Sequence, residues 1–262
     1  MRRAFALLLS LCLALGLCGC AKQTAWSFVL DTRRSVDDYT ARSGALLSWY
    51  SYELPELALV SADTAPGEQP PEALAAVRDA FNGEMENYRA LLLEEYAELE
   101  QLAISEYVES DLAAPLDQHA ELREVYQTLR LLSVRIGGYT DRGGAYPWGF
   151  TRCWAFDLET GAFVHWYDLA KDADALRAAL AAACVRQARE RGMDAGFYDG
   201  WEDTVRAFEG CEAYLGADAL TVVFGEQLLG PHAAGLPEFA ISYDELSQYL
   251  SAYGKQLLKK EG

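Results

Sequence analysis

The sequence predicts an α+β protein in which helices pack on one face of antiparallel sheets, arranged as two related or fused αβ subdomains. Two long segments repeat apolar residues every three or four positions, as amphipathic helices do, whereas shorter segments alternate β-branched or aromatic residues with polar ones, as strands do. These segments are grouped along the chain, which favours antiparallel pairing over a doubly wound parallel sheet. With 262 residues, of which 51% are hydrophobic, the chain can form one large or two small cores.

The amino terminus has the pattern of an export signal. Two arginines precede an apolar run over residues 4–17, which is too short to span a bilayer. The run ends in Leu17-Cys18-Gly19-Cys20, which resembles the lipobox of bacterial lipoproteins, although alanine or serine is usual at the position of the first cysteine. The resemblance implies cleavage after residues 1–19 and a lipid anchor, palmitate included, on Cys20, at the outer face of the cytoplasmic membrane. An ordinary signal peptide with Cys20 left as a thiol is the alternative.

The net charge is strongly negative. Asp and Glu number 40 against 22 Lys and Arg, a formal charge of −18 at pH 7, which excludes nucleic acid as a partner. The same charge repels anionic lipid head groups, so we expect residues 20–43 to serve in part as a tether that holds the domain off the membrane. Within this segment, residues 26–30 are apolar enough to form a short docked strand.

The amino-terminal domain is predicted to span residues 44–161. Residues 44–59 are rich in aromatic side chains and interrupted only by Pro55, which suits a strand pair or one strand with an extended exit. From Pro71 to Leu102, apolar residues recur at helical spacing, which predicts a long amphipathic helix. The acids on its other face are spread along the helix, so they indicate a solvated surface rather than a metal site.

Several strands are predicted after this helix. Residues 111–120 contain Pro115 and are predicted to form a loop. Alternating patterns over residues 121–139 and 150–158 predict at least three strands, separated by a glycine-dense segment. A turn after the second of these patterns predicts a hairpin over residues 150–167.

The carboxy-terminal domain is predicted to span residues 162–258. An alanine-rich helix is expected over residues 171–191, with Gly192 at its end. Ser242 and Glu245 match a capping box that opens a final helix continuing through Leu257. A short helix over residues 200–208 and three strands, at residues 211–215, 219–224 and 238–243, are expected between the two longer helices.

Beyond the signal and the anchor, the chain has Cys153, Cys184 and Cys211. This number is odd, and no pair has the spacing of a zinc site or a redox dithiol. Buried thiols are the preferred interpretation. A disulfide between Cys184 and Cys211 is the alternative, because an exported protein meets oxidising conditions.

A series of motifs in a fixed order relates both domains to a known family. Together they resemble bacterial envelope proteins with two adjacent extracytoplasmic domains, one attached to certain peptidoglycan deacetylases and the other found in the outer region of anti-sigma-V factor. The resemblance covers most of residues 44–250 and implies a domain of unknown function in the cell envelope. The motifs are Leu131-Leu132-Ser133-Val134 before Tyr139, Gly143-Gly144-Ala145-Tyr146, Phe156-Asp157-Leu158-Glu159-Thr160-Gly161, Asp168-Leu169, Ala219–Phe224, Gly230–Gly235 and Phe239–Leu246.

This sequence departs from the family pattern in two places. The family commonly has histidine where this chain has Tyr146, and tyrosine where it has His232. A role that needs a histidine after the glycine pair is therefore not expected here. Only three residues precede the apolar run, so we do not expect the chain to bind a sigma factor. No deacetylase domain follows, so we do not expect deacetylase activity either.

The candidate ligand-binding residues lie in two glycine-containing segments. Exposed aromatic rings beside glycines suit sugar stacking or a protein-binding hot spot. Tight loops packed on the protein's own sheets are the alternative for both segments, and only the family resemblance places His232 near the others. The candidates are Tyr139, Gly143, Gly144, Tyr146, Trp148 and His232.

The sequence predicts no enzyme, no cofactor and no metal site, since it has three histidines and none of the His-Glu-x-x-His, Gly-x-Ser-x-Gly or phosphate-binding glycine motifs. Three functions stay open. The first is an anchored binding or sensing module for a basic secreted protein such as a cell-wall hydrolase. The second is a module that holds peptidoglycan glycan through Tyr146 and Trp148. The third is a structural envelope lipoprotein without a discrete ligand.

Overall fold

The computed structural model describes residues 26–61, 68–110 and 114–259. Within these ranges, nine strands form a six-stranded sheet in the order β1-β2-β3-β4-β5-β6 and a three-stranded sheet in the order β7-β8-β9. Each sheet carries helices and its own hydrophobic core. The predicted α+β class with two sheet-bearing subdomains is confirmed.

The first two strands form a long antiparallel hairpin. β1 (Trp26–Thr40) pairs with β2 (Leu46–Ser61) along its whole length, from Trp26 opposite Ser61 to Thr40 opposite Leu46. The expected short docked strand at residues 26–30 is therefore three times as long as predicted. β1 occupies most of the segment that the sequence assigned to a tether. Its backbone groups are paired with β2, so this part of the segment belongs to the folded sheet.

The predicted long helix is α1 (Glu72–Ser110), which packs on one face of the six-stranded sheet. It connects β2 to β3 (Leu116–Gln127), and these two strands are parallel. A helical crossover between neighbouring strands permits this direction, which makes β2 and β3 an exception to the antiparallel prediction. The buried side chains between helix and sheet include Tyr52, Leu57, Phe81, Met85, Leu92, Leu99 and Leu116.

The loop predicted for residues 111–120 is wrong from Leu116 onward. Polar residues such as Asp117 and Gln118 are typical of a loop, but here both are buried and form hydrogen bonds with other side chains of the protein. The buried amide of Gln118 accepts a hydrogen bond from the Tyr52 hydroxyl (2.5 Å) and donates one to Glu95 (3.1 Å). A polar residue whose hydrogen bonds are satisfied can occupy a buried strand.

Three antiparallel strands complete the first sheet. They are β4 (Leu131–Asp141), β5 (Trp148–Asp157) and β6 (Ala162–Phe163). The predicted hairpin of β5 and β6 is confirmed, although β6 ends early. The chain turns into a short 3-10 helix, Trp166–Leu169, where the Asp168 carboxylate accepts the His165 backbone N–H at 2.8 Å.

The second subdomain follows the predicted order of elements. It consists of α2 (Ala173–Glu190), α3 (Trp201–Ala207), β7 (Cys211–Leu215), β8 (Ala219–Phe224) and β9 (Glu238–Ser242). Asp172 caps α2 by accepting two backbone N–H groups, and Gly192 ends it with a φ of +67°. The buried core lies between α2 and the small sheet and includes Leu176, Leu180, Cys184, Val222, Phe224, Phe239 and Ile241.

The final helix is broken, contrary to the prediction. Ser242 caps α4 (Tyr243–Leu246) by accepting the Glu245 N–H, and a second helix, α5 (Ala252–Leu257), begins after Ser251. Between them, Leu250 forms a β-bridge with Ala170. Residues 247–249 form a turn, and the bridge at Leu250 keeps the two helices from joining into one.

Buried polar contacts join the two subdomains. The Leu215 N–H in β7 donates to the buried Ser133 hydroxyl in β4 at 3.2 Å. Asp157, at the end of β5, is fully buried and binds Arg130 at 3.0 Å and the Tyr253 hydroxyl of α5 at 3.1 Å. Burial opposes ionisation of this carboxyl, but hydrogen bonds from Arg130, the Glu159 backbone and Tyr253 prevail and lower its pKa.

Candidate functional site

Two of the predicted site residues meet on the surface. Tyr146, in the loop between β4 and β5, stacks on His232, in a short 3-10 helix after Pro231. Their ring centroids are 4.7 Å apart and the rings are inclined by 23°. Tyr146 remains 66% exposed, so one face of the stack is open to a partner.

A buried carboxylate holds these two loops together. The Glu226 side chain is 5% exposed, and one of its oxygens accepts the Gly149 backbone N–H while the other contacts Nδ1 of His232. It therefore links the start of β5 to the segment that carries the histidine. No sequence motif identifies Glu226, because it is one of 40 acidic residues and follows a strand without distinctive spacing.

Trp148 lies two residues from Tyr146, at the first position of β5, and is 50% exposed. It precedes Gly149, whose backbone is fixed by Glu226. We call Tyr146, Trp148 and His232 the aromatic surface. The Tyr146–His232 stack, with its histidine held by a buried carboxylate, and the half-exposed Trp148 beside Gly149 provide aromatic surface for contact with a partner.

The structure places Tyr139 apart from the aromatic surface. Tyr139 and Trp148 occupy adjacent pairing positions of β4 and β5, so their side chains leave opposite faces of the sheet. The Tyr139 ring lies 4.7 Å from the His119 ring and its hydroxyl donates to Asp117 at 3.1 Å. Burial and the neighbouring Asp117 carboxylate raise the pKa of Tyr139 to about 12.

The glycine pair fits the alternative of a tight loop. Gly143 has a φ of +78°, which favours glycine, and its N–H donates to the Asp141 side chain at 2.8 Å. Gly144 has no such requirement, since a Cβ there would come no closer than 3.9 Å to another atom. These glycines shape the loop that presents Tyr146. Cys20, the predicted lipidation site, lies outside the described residues.

The comparisons with known proteins identify a shared fold. No protein-family model and no curated protein matches the chain. Among solved structures, the chain is similar to a DUF3298 family member from Bacteroides fragilis, with a TM-score of 0.62, 15% identity, and coverage of 90% of this chain and 98% of that one. It is also similar to a DUF3298 family protein from Pseudomonas aeruginosa, with a TM-score of 0.51, 16% identity, and coverage of 86% and 95%. The chain shares the fold of these DUF3298 proteins.

The likeness extends over both subdomains, because it covers most of the chain in each comparison. It supports a domain of unknown function and transfers no activity at this level of identity. In the described ranges, no helix has the length and apolar content needed to cross a membrane. The same ranges contain no group of three or more His, Cys, Asp or Glu side chains arranged to hold a metal ion.

Proposed function

We propose that this protein is a lipid-anchored module of the bacterial envelope that binds a basic protein through the aromatic surface and catalyses no reaction. The observation that carries this proposal is the stack of Tyr146 on His232, whose Nδ1 contacts the buried Glu226 carboxylate. Rigid aromatic side chains are typical of protein-binding hot spots. Here they are partly exposed and held in place before a partner arrives.

The proposed location rests on the amino-terminal sequence. The arginines, the short apolar run and Cys20 match a lipoprotein signal, and a diacylglycerol-modified cysteine gives stable membrane attachment. The resemblance to envelope domains of peptidoglycan deacetylases and of anti-sigma-V factor agrees with a position at the outer face of the cytoplasmic membrane.

The proposed partner follows from charge. A formal charge of −18 accelerates the approach of a basic protein, such as a cell-wall hydrolase, and makes the encounter sensitive to salt. The aromatic surface then supplies short-range contacts that outlast the encounter. Long-range attraction and local stacking therefore make separable contributions to binding.

The absence of catalysis is part of the proposal. Burial raises the pKa of the three described thiols to about 12, so they stay protonated at neutral pH and are poor nucleophiles. Each histidine also packs against a tyrosine ring of the protein itself. His119 contacts Tyr139, His165 stacks on Tyr167 and His232 stacks on Tyr146.

A binding experiment on the full chain tests the partner. Wild-type protein and the variants Tyr146→Ala and Trp148→Ala are immobilised and exposed to a purified cationic lysozyme and to secreted basic proteins at low and raised salt. We expect each variant to weaken binding about tenfold, the effect of losing one hot-spot ring. Tyr198→Ala removes a ring that is 46% exposed outside the aromatic surface, and should bind like the wild type.

Two results would contradict the proposal. Undiminished binding by both aromatic-surface variants would remove the site. Salt-independent capture of purified peptidoglycan that Tyr146→Ala or Trp148→Ala abolishes, with no basic protein captured, would replace the protein partner with a glycan. The anchor is tested separately with radiolabelled palmitate, which should label the wild type and not Cys20→Ala. Absence of label on the wild type would refute the anchor while leaving the binding site open to test.

A further inference from the structure

A second concavity lies where the two subdomains meet. It encloses about 530 Å³ and is bounded by α1, β5, the segment after β6, and β7. We call it the junction cleft. Ligand pockets often form between domains and have volumes of about 300–1,000 Å³. Its lining includes Glu84, Trp154, Phe163, Trp166, Tyr167 and Glu212.

The aromatic rings of the cleft are supported by residues behind them. Trp166 packs edge-on against Phe208, with ring centroids 5.1 Å apart. Trp154 meets Tyr88 in the same way at 4.8 Å. Tyr167 is 46% exposed and supported by stacking on His165. The cleft therefore presents aromatic surface that a ligand can cover without first ordering it.

Two carboxylates face the same space and are held in position. Glu84 accepts the indole N–H of Trp154 at 3.3 Å. Glu212 accepts the Cys153 backbone N–H at 3.0 Å and pairs with Arg152 at 2.9 Å. Each carboxylate retains lone pairs for further hydrogen bonds, because two oxygens provide about four acceptor positions.

The charged side chains in the wall of the junction cleft indicate which class of ligand it can bind. The lining contains no lysine or arginine, so an anionic ligand would meet the carboxylates of Glu84 and Glu212 and find no cation in the wall to bind. Arg152 already compensates the charge of Glu212, which reduces the attraction for a cationic ligand. A neutral molecule with several hydroxyl donors and an apolar face matches both the acceptors and the rings.

We propose that the junction cleft binds a neutral saccharide. One face of a sugar ring stacks on Tyr167 or Trp166, and its hydroxyls donate hydrogen bonds to Glu84 and Glu212. This inference goes beyond the proposed function, since the cleft uses none of the residues of the aromatic surface. It adds a glycan ligand to a protein whose partner protein binds elsewhere.

Calorimetric titration of the full chain with a neutral N-acetylglucosamine tetramer tests the cleft. We expect binding that changes little between low and raised salt, since the ligand carries no charge. Tyr167→Ala should weaken it about fivefold through loss of stacking, and Glu84→Ala about tenfold through loss of a charged acceptor. Tyr198→Ala and Glu100→Ala are the matched controls, since both side chains lie outside the cleft, and we expect both to bind the tetramer like the wild type.

The failures of the two proposals are distinguishable. Trp148→Ala should bind the tetramer like the wild type, and Tyr167→Ala should retain the partner protein. No measurable heat up to millimolar tetramer, or equal affinity in the wild type and both cleft variants, would overturn the saccharide site. Salt-sensitive binding of a lysine oligomer that Glu84→Ala abolishes, with no response to the tetramer, would assign the cleft to cations instead.

Discussion

Replacing Asp157 tests how the two subdomains are joined. This carboxylate is completely buried and accepts hydrogen bonds from Arg130, the Glu159 backbone and the Tyr253 hydroxyl. Asp157→Asn keeps the shape and the carbonyl oxygen but removes the charge. The variant therefore probes the ionic part of the contact with little change in packing.

The expected loss of stability follows from the partners. Removing one member of a fully buried ion pair costs about 3–5 kcal/mol. Arg130 also contacts Glu159 at 3.1 Å and is 20% exposed, so it does not become an isolated buried charge. Because asparagine can still accept from Tyr253, we expect a decrease of about 2 kcal/mol in the free energy of unfolding. In a chain of this size that lowers Tm by about 4–8 °C.

The dependence on pH provides a second measurement. The pKa of Asp157 is lower in the folded protein than the value of about 3.9 expected in an unfolded chain. Its ionisation therefore contributes stability that is present above about pH 4 and is lost as the pH falls through the folded-state pKa. Urea unfolding of the wild type and of Asp157→Asn between about pH 2 and 6 should give curves that converge at the acid end.

The matched control is Asp174→Asn, which removes an exposed pair with Arg177. An exposed pair contributes little, so unfolding should be almost unchanged. If Asp157→Asn behaved like this control, or if the difference from the wild type were the same at every pH in the series, the argument for a stabilising buried carboxylate would be wrong.

Three further outcomes are expected. Gly138→Ala would place a Cβ on the His119 carbonyl oxygen, so thermal unfolding should show a loss of about 2–3 kcal/mol, whereas Gly196→Ala meets no atom within 4 Å and should not cause such a clash. Glu226→Ala releases His232 and leaves the Gly149 N–H without its acceptor, so we expect weaker partner binding and a lower Tm, with binding measured where the variant is still folded; binding like the wild type would contradict the role of Glu226. Burial raises the pKa of Cys153, Cys184 and Cys211, so at pH 8 iodoacetamide should modify these thiols slowly in the folded protein and fully in the denatured protein. Mass spectrometry counts the modified cysteines, and rapid labelling of the folded protein would contradict the argument.

Elements with a clear repeat could be predicted from the sequence. The long helix shows its period over many turns, and β7 and β8 have the predicted bounds because turns delimit them. The first part of β3, residues 116–120, was missed because its polar side chains have hydrogen-bond partners distant in the chain, such as Tyr52 for Gln118. The break after Leu246 depends on a pairing with Ala170, which no local pattern reveals.

The candidate site was predictable only in part. Exposure of Tyr146 and Trp148 followed from their place beside glycines, and the family resemblance alone put His232 near them. The sequence groups Tyr139 with Tyr146 and Trp148, but Tyr139 pairs with Gly149, one position along from Trp148, so its side chain projects from the opposite face of the sheet. Glu226 was not identifiable, since its role depends on contacts between loops far apart in sequence.

β1 is the outermost strand of the six-stranded sheet, and it is long enough to act as a template for a strand of another molecule. Its sequence discourages such pairing, since Asp31, Arg33, Arg34, Asp37 and Asp38 are distributed along it. A neighbouring molecule that added a strand here would have to bury or align these charges. The charged edge of β1 therefore disfavours edge-to-edge aggregation at high protein concentration, in addition to completing the sheet.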